Sequence, residues 1–218
     1  MPRTLHWAQL ALATGAASSI AEAGLLVFTR AGGSGDFKYT ADYWLTGVGI
    51  PAALASVVLL VCVRSLQGGR TGRLGLAGLL INNLACLLLA AQLATGVAMA
   101  TEVHWGPSYP LATLAAFVGL SLFAAGSWRI GLLPRWMLGT WPVIWVIGSM
   151  AAIGATPLLL AGFYTAMAVI IARRLATAAL TNPRPRRRKL SPPGGGTSHT
   201  RSGHTTPSPH ISLRIAHV

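Results

Sequence analysis

Four acidic residues occur in the 218-residue chain, and one of them, Glu22, lies inside an apolar run, Trp7 to Phe28. An ionisable side chain within a bilayer costs several kcal/mol, which makes it a functional-site candidate by default. A third apolar run, Leu74 to Ala100, carries Asn82, Asn83 and Gln92. At 1.5 Å per helical residue, Glu22 stands roughly 21 Å from the edge where its run begins. Runs one and three point the same way, with the Asn pair roughly 13 Å and Gln92 roughly 27 Å from that edge. Glu22 is therefore expected at a depth between them, within reach of a hydrogen bond to Gln92 or a water bridge to the Asn pair. No Lys or Arg lies at a comparable depth in any run. The chemistry this set offers is proton exchange or ligand binding. A plainer role competes with it. Polar side chains often join transmembrane helices, at about 0.6 kcal/mol each. Ala11, Gly15 and Ser18 precede Glu22 along one helical face, with Ser19 adjacent, and such a small-residue stripe lets another helix come close.

Other reactive arrangements are missing. H-E-x-x-H, G-x-S-x-G and P-loop motifs are absent, and with them the reactions they carry. The two cysteines, Cys62 and Cys86, form no C-x-x-C and fall at different depths, so a disulfide between them is not expected. None of the six histidines lies deep in an apolar run, which argues against bis-histidine haem binding. Glu102-Val103-His104 offers two ligands in a loop, too few for a metal site. Asp36 and Asp42 both fall before the second run, so a pair of intramembrane aspartates is lacking. No cofactor, no metal and no catalytic residue is expected, and the chain reads as non-enzymatic.

The elements that must position Glu22 follow from composition. The chain is 53% hydrophobic and 10% charged, whereas a soluble domain carries about 25% charged residues. A hydrocarbon core of ~30 Å needs about 20 helical residues. The apolar runs predict six spans, at about 7–28, 43–63, 74–98, 111–128, 136–154 and 157–175. The last two come from one long run, divided at Gly154-Ala155-Thr156-Pro157 because Thr can cap a helix and Pro suits its first position. Pro51 inside the second run predicts a kink. Ala21-Glu22-Ala23 loosely matches a signal-peptide cleavage site, but the run continues through Phe28 and favours a retained helix. No internal repeat aligns spans one to three with four to six.

Orientation follows the basic residues. With the N-terminus inside, 15 of the 17 Lys and Arg lie on the cytoplasmic side, leaving only Arg30 and Lys38 outside. Tyr43, Trp44, Trp105 and Tyr109 then fall at the outer interface, and Trp7, Trp128 and Trp136 at the inner one, as aromatic belts require. The net charge of +13 is thus topogenic, and nucleic acid is not an expected partner.

Residues 1–180 read as the six-helix domain and 181–218 as a disordered cytoplasmic tail rich in basic residues, Pro, Gly, Ser and Thr. Arg184, Arg186, Arg187, Arg188 and Lys189 form a polybasic segment there. It serves as a topogenic anchor or as a clamp on anionic lipid headgroups.

Ser127-Trp128-Arg129 and Gly131-Leu132-Leu133-Pro134-Arg135-Trp136, followed by an apolar run, resemble a loop of uncharacterised multi-span membrane proteins of actinobacteria. The resemblance spans residues 111–172 and implies a membrane fold without implying an activity. The expectation is an all-α, polytopic transmembrane bundle of six spans in the plasma (inner) membrane, with both termini cytoplasmic. Its leading role is packing with itself, as a homo-oligomer, or with a partner. The alternative is a proton-linked or small-solute transporter using Glu22 with Asn82, Asn83 and Gln92. An intramembrane enzyme is a distant third.

Overall fold

The computed structural model describes residues 2–31, 36–101, 107–150 and 153–181. These residues belong to one compact unit, Met1–Asn182. The polybasic residues Arg184, Arg186, Arg187, Arg188 and Lys189 lie outside the described residues, as do Glu102, His104 and Trp105.

The described chain is helical: α1 (Pro2–Phe28), α2 (Thr40–Leu66), α3 (Gly72–Met99), α4 (Ser108–Ser127), α5 (Arg135–Trp145), a π-helical turn (Val146–Met150) and α6 (Pro157–Thr181). The apolar runs account for all of these, and the helices extend past several of the predicted ends. Five of them, all but α5, are long and apolar enough to cross a membrane. The fifth segment differs from the expected 136–154 span. Its eleven α-helical residues and five π-helical ones rise roughly 24 Å, short of a ~30 Å hydrocarbon core. The change of helix type begins four residues after Pro142, whose ring removes one backbone hydrogen bond from the helix.

Local chemistry sets the boundaries. Asp42, expected in a loop, belongs to the first turn of α2 and is buried. Its carboxylate accepts hydrogen bonds from the Lys38 and Tyr39 backbone N–H groups at 2.9 and 2.8 Å. Gly68 and Gly69 turn the chain after α2 with φ of +63° and +72°, a conformation that costs glycine no Cβ clash. Thr156 Oγ1 accepts from Ile153 N at 2.9 Å, closing the turn before Pro157 opens α6. α2 runs unbroken through Pro51, which sits on its exposed side.

Each helix packs on its neighbours in sequence, and α6 closes the ring against α1. The ends of this up-and-down ring are called near, holding the start of α1 and the end of α6, and far. The closest approach is between α3 and α4. A Cβ on Gly119 would lie 2.5 Å from Asn82 N, and one on Gly78 would lie 2.4 Å from Phe123 N. Backbone thus meets backbone, as small residues permit between membrane helices. The near half is filled by large side chains with almost no exposure, among them Leu60, Phe123, Met137, Leu138, Trp141, Met167 and Ile171.

The polarity of the bundle is inverted relative to a soluble protein. Leu80, Leu84, Leu111, Leu114, Leu159 and Val169 are exposed, while Asn82, Gln92, Ser56 and Gln67 are buried. Contiguous apolar surface of this kind is what lipid covers.

Candidate functional site

Glu22 lies six residues before the last residue of α1, in the far half of the ring, and it borders a cavity of about 340 Å³. Every helical segment contributes to the wall: Glu22 and Leu26 from α1, Thr46 and Gly49 from α2, Leu93 from α3, Tyr109 from α4, Trp145 and Ser149 from α5 and the π turn, and Tyr164 from α6. All these positions lie in the far half, because the helices alternate in direction. The volume falls within the range of small-ligand pockets, about 300–1,000 Å³. Glu22 is the sole ionisable carboxyl or base on the wall. The other polar groups are the Thr46, Ser149, Tyr109 and Tyr164 hydroxyls and the Trp145 indole. Among the described residues, Glu22 has neither a hydrogen bond nor an ion pair.

The small-residue stripe on α1 has a defined use. A Cβ on Gly15 would lie 2.7 Å from the Tyr164 ring. Gly15 therefore makes room for Tyr164, and through it α6 settles against α1 at the base of the cavity. Gly15 of the stripe thus serves a contact within the chain.

The sequence-predicted set does not converge. α2 stands between α1 and α3, and neither Asn82, Asn83 nor Gln92 lines the Glu22 cavity. The expected Glu22–Gln92 hydrogen bond is replaced by one within the α3–α4 pair, Gln92 Nε2 to Ser108 Oγ at 3.0 Å. Neighbouring depths suggested a contact between the two residues, and the order of helices around the ring separated them. Asn82 Nδ2 donates to Cys86 Sγ, one turn along α3, at 3.6 Å. The Asn82, Asn83 and Gln92 carbonyl oxygens are buried without a hydrogen-bond partner. Cys62 and Cys86 are both free and buried.

A second polar string begins where the cavity ends. Ser56 on α2 lies within hydrogen-bonding reach of the Tyr164 hydroxyl and of the Cys86 thiol, although its Oγ makes no well-aligned bond in this conformation. Tyr164, Ser56, Cys86 and Asn82 thus bring polar groups of α6, α2 and α3 together below the cavity, with one well-formed bond among them, Asn82 Nδ2 to Cys86 Sγ within α3. An unfilled acceptor at each of Ser56 and Asn82 is what a bridging water satisfies. Sequence reasoning missed Tyr164, Ser56, Trp145 and Ser149. Tyr164 carried a usable signal, because a tyrosine seven residues inside a span is away from the interfacial belt that aromatic residues favour. Ser56 and Ser149 carried none, since serine is ordinary in membrane helices.

No protein-family model, curated protein or solved structure matches the chain.

Proposed function

We propose that this is a six-span protein of the plasma membrane, both termini cytoplasmic, that carries a small, largely apolar organic cation in exchange for a proton on Glu22. The fifth segment crosses with α6 as its partner, the π turn and Ile153–Thr156 completing the passage. The observation that carries the reading is the cavity itself: Glu22 is on a wall to which all six helical segments contribute. A carboxyl that only joined helices would be spent on a side chain of the next helix.

The wall chemistry selects the solute. With one carboxyl and no Lys or Arg on the wall, a cation is favoured over an anion by charge alone. Tyr109, Trp145 and Tyr164 supply aromatic surface, which attracts alkylated ammonium groups. The volume admits a small solute. The packed near half closes the route toward the near end, which leaves the far side as the route to the cavity. The proton count is simple. A neutral Glu22 gives up its proton when the cation binds and regains it when the cation leaves, so one proton moves against one positive charge. The carboxylate then never stands in the bilayer without a counter-charge, which avoids the cost of a lone intramembrane ion.

The test is transport by the full chain in proteoliposomes under an imposed pH gradient, with benzyltrimethylammonium as probe. A quaternary cation holds no proton of its own, so any dissipation of the gradient reports on the protein. Wild type should dissipate it on addition of the cation, and Glu22→Gln should not. Equal dissipation by both would reject the role assigned to Glu22.

A further inference from the structure

A depression of about 540 Å³ opens at the near end, lined by Arg70, Ala125, Gly126, Trp128, Arg129 and Ile130. Its two halves come from different segments, the α2–α3 turn and the end of α4. Ser127 Oγ donates to Gln67 Oε1 at 3.2 Å and pins one to the other. Close approach of the backbones reinforces this, since a Cβ on Gly126 would lie 2.7 Å from Gly75 N and 2.8 Å from Thr71 O. The turn is itself fixed by Gly69 N to Arg64 O and Arg70 N to Gln67 O bonds at 3.1 and 3.3 Å. Arg70 and Arg129 are thus held on a rigid base. Both are exposed, and among the described residues neither guanidinium has a hydrogen-bond or carboxylate partner.

Among the described residues, the surroundings offer no neutralising charge. Arg3, Arg64, Arg73, Arg135, Arg173 and Arg174 also belong to the near end, whereas Glu22, Asp36 and Asp42 all lie in the far half. Trp128 sets the depth. Its ring lies beside Gly139 of α5, where an added Cβ would stand 3.7 Å from it, and stays 41% exposed, the position of an indole at the headgroup layer. Two unpaired guanidiniums on either side of a depression, at headgroup depth, match the fork geometry by which arginine holds phosphate.

We propose that this depression binds the phosphate of an anionic phospholipid in the leaflet that faces the near end. The site is separate from the polybasic tail and from the Glu22 cavity, and it stands whether or not the carrier reading holds.

The experiment is a titration of the full chain in neutral detergent micelles, read by native mass spectrometry. Ligands are phosphatidylglycerol, phosphatidylcholine and inorganic phosphate, and the proteins are wild type, Arg70→Gln/Arg129→Gln, and a tail variant with Arg184, Arg186, Arg187, Arg188 and Lys189 all changed to Gln. Each basic residue near an anionic surface contributes about fivefold, so the double variant should bind phosphatidylglycerol roughly 25-fold more weakly. The tail variant should retain the tightest-bound lipid. Both arginines are exposed, so folding should survive, and an unchanged helical circular dichroism signal checks it. Phosphatidylglycerol affinity unaltered in the double variant, or equal affinity for phosphatidylcholine, would overturn the proposal. Tight binding of inorganic phosphate that displaces the lipid would assign the site to a free anion and reject the lipid.

Discussion

The α3–α4 contact gives a prediction whose size can be worked from the coordinates. A methyl group at Gly119 would meet Asn82 N at 2.5 Å and Asn82 Cα at 2.9 Å. Ordinary contacts of a Cβ begin at about 3.4 Å, so α4 must retreat from α3 by roughly an ångström. The opposing atoms are backbone, and no side-chain rotation relieves them. Overpacking of this kind costs about 1–3 kcal/mol. Alanine also has a better helix propensity than glycine, by up to about 1 kcal/mol, which offsets part of that cost. Gly162→Ala in α6 isolates the propensity effect, because a Cβ there meets nothing within 4 Å. The difference between Gly119→Ala and Gly162→Ala should therefore be about 1–3 kcal/mol, with Gly119→Ala the less stable. Reversible unfolding in mixed detergent–dodecyl sulfate micelles, followed by circular dichroism, measures it. Equal stability of the two variants would refute the backbone-to-backbone contact.

Three further outcomes are expected. Trp141 is fully buried with its indole N–H unpaired, so Trp141→Ala should cost about 3–5 kcal/mol and Trp141→Phe much less, in the same unfolding assay. Asp42→Ala removes the acceptor of two backbone N–H bonds at the start of α2 and should cost about 0.5–2 kcal/mol, with faster amide exchange at Lys38 and Tyr39. Tyr164→Phe keeps the ring that Gly15 accommodates but removes the hydroxyl facing Ser56. It should leave stability within about 1 kcal/mol, the usual net worth of one hydrogen bond, while slowing cation-driven proton movement in proteoliposomes.

How much of this was legible in the sequence depended on how local the signal was. Apolar run length located every helix, because burial in lipid demands a continuous stretch and tolerates few charges. The Gly154–Pro157 break divided the last run correctly, since Pro157 does open α6. The short fifth segment was not visible, because its apolar residues run on past Trp145 while the hydrogen bonding changes type near Pro142. Glu22 stood out by the cost of its charge, but its partners did not. Depth along a helix axis is set by residue count, whereas position around a ring is set by which helices pack together. Gln92 had the depth and lacked the azimuth. Tyr164 and Ser56 had both; the depth of a tyrosine inside a span was a usable signal, whereas nothing in its residue type distinguished Ser56 from a packing residue. Gly15, legible as part of a small-residue stripe, makes room for Tyr164 of α6, a pairing the sequence did not name.

The most direct test of the central claim is the pH dependence of benzyltrimethylammonium binding to the purified full chain, with proton release counted in weakly buffered solution. If Glu22 exchanges a proton for the cation, affinity rises with pH, up to about tenfold per pH unit for one coupled proton, and one proton is released per cation bound. Glu22→Gln should bind weakly, show no pH dependence and release none. Binding that is independent of pH in wild type, or unchanged in Glu22→Gln, would contradict the account and leave the cavity without its proposed chemistry.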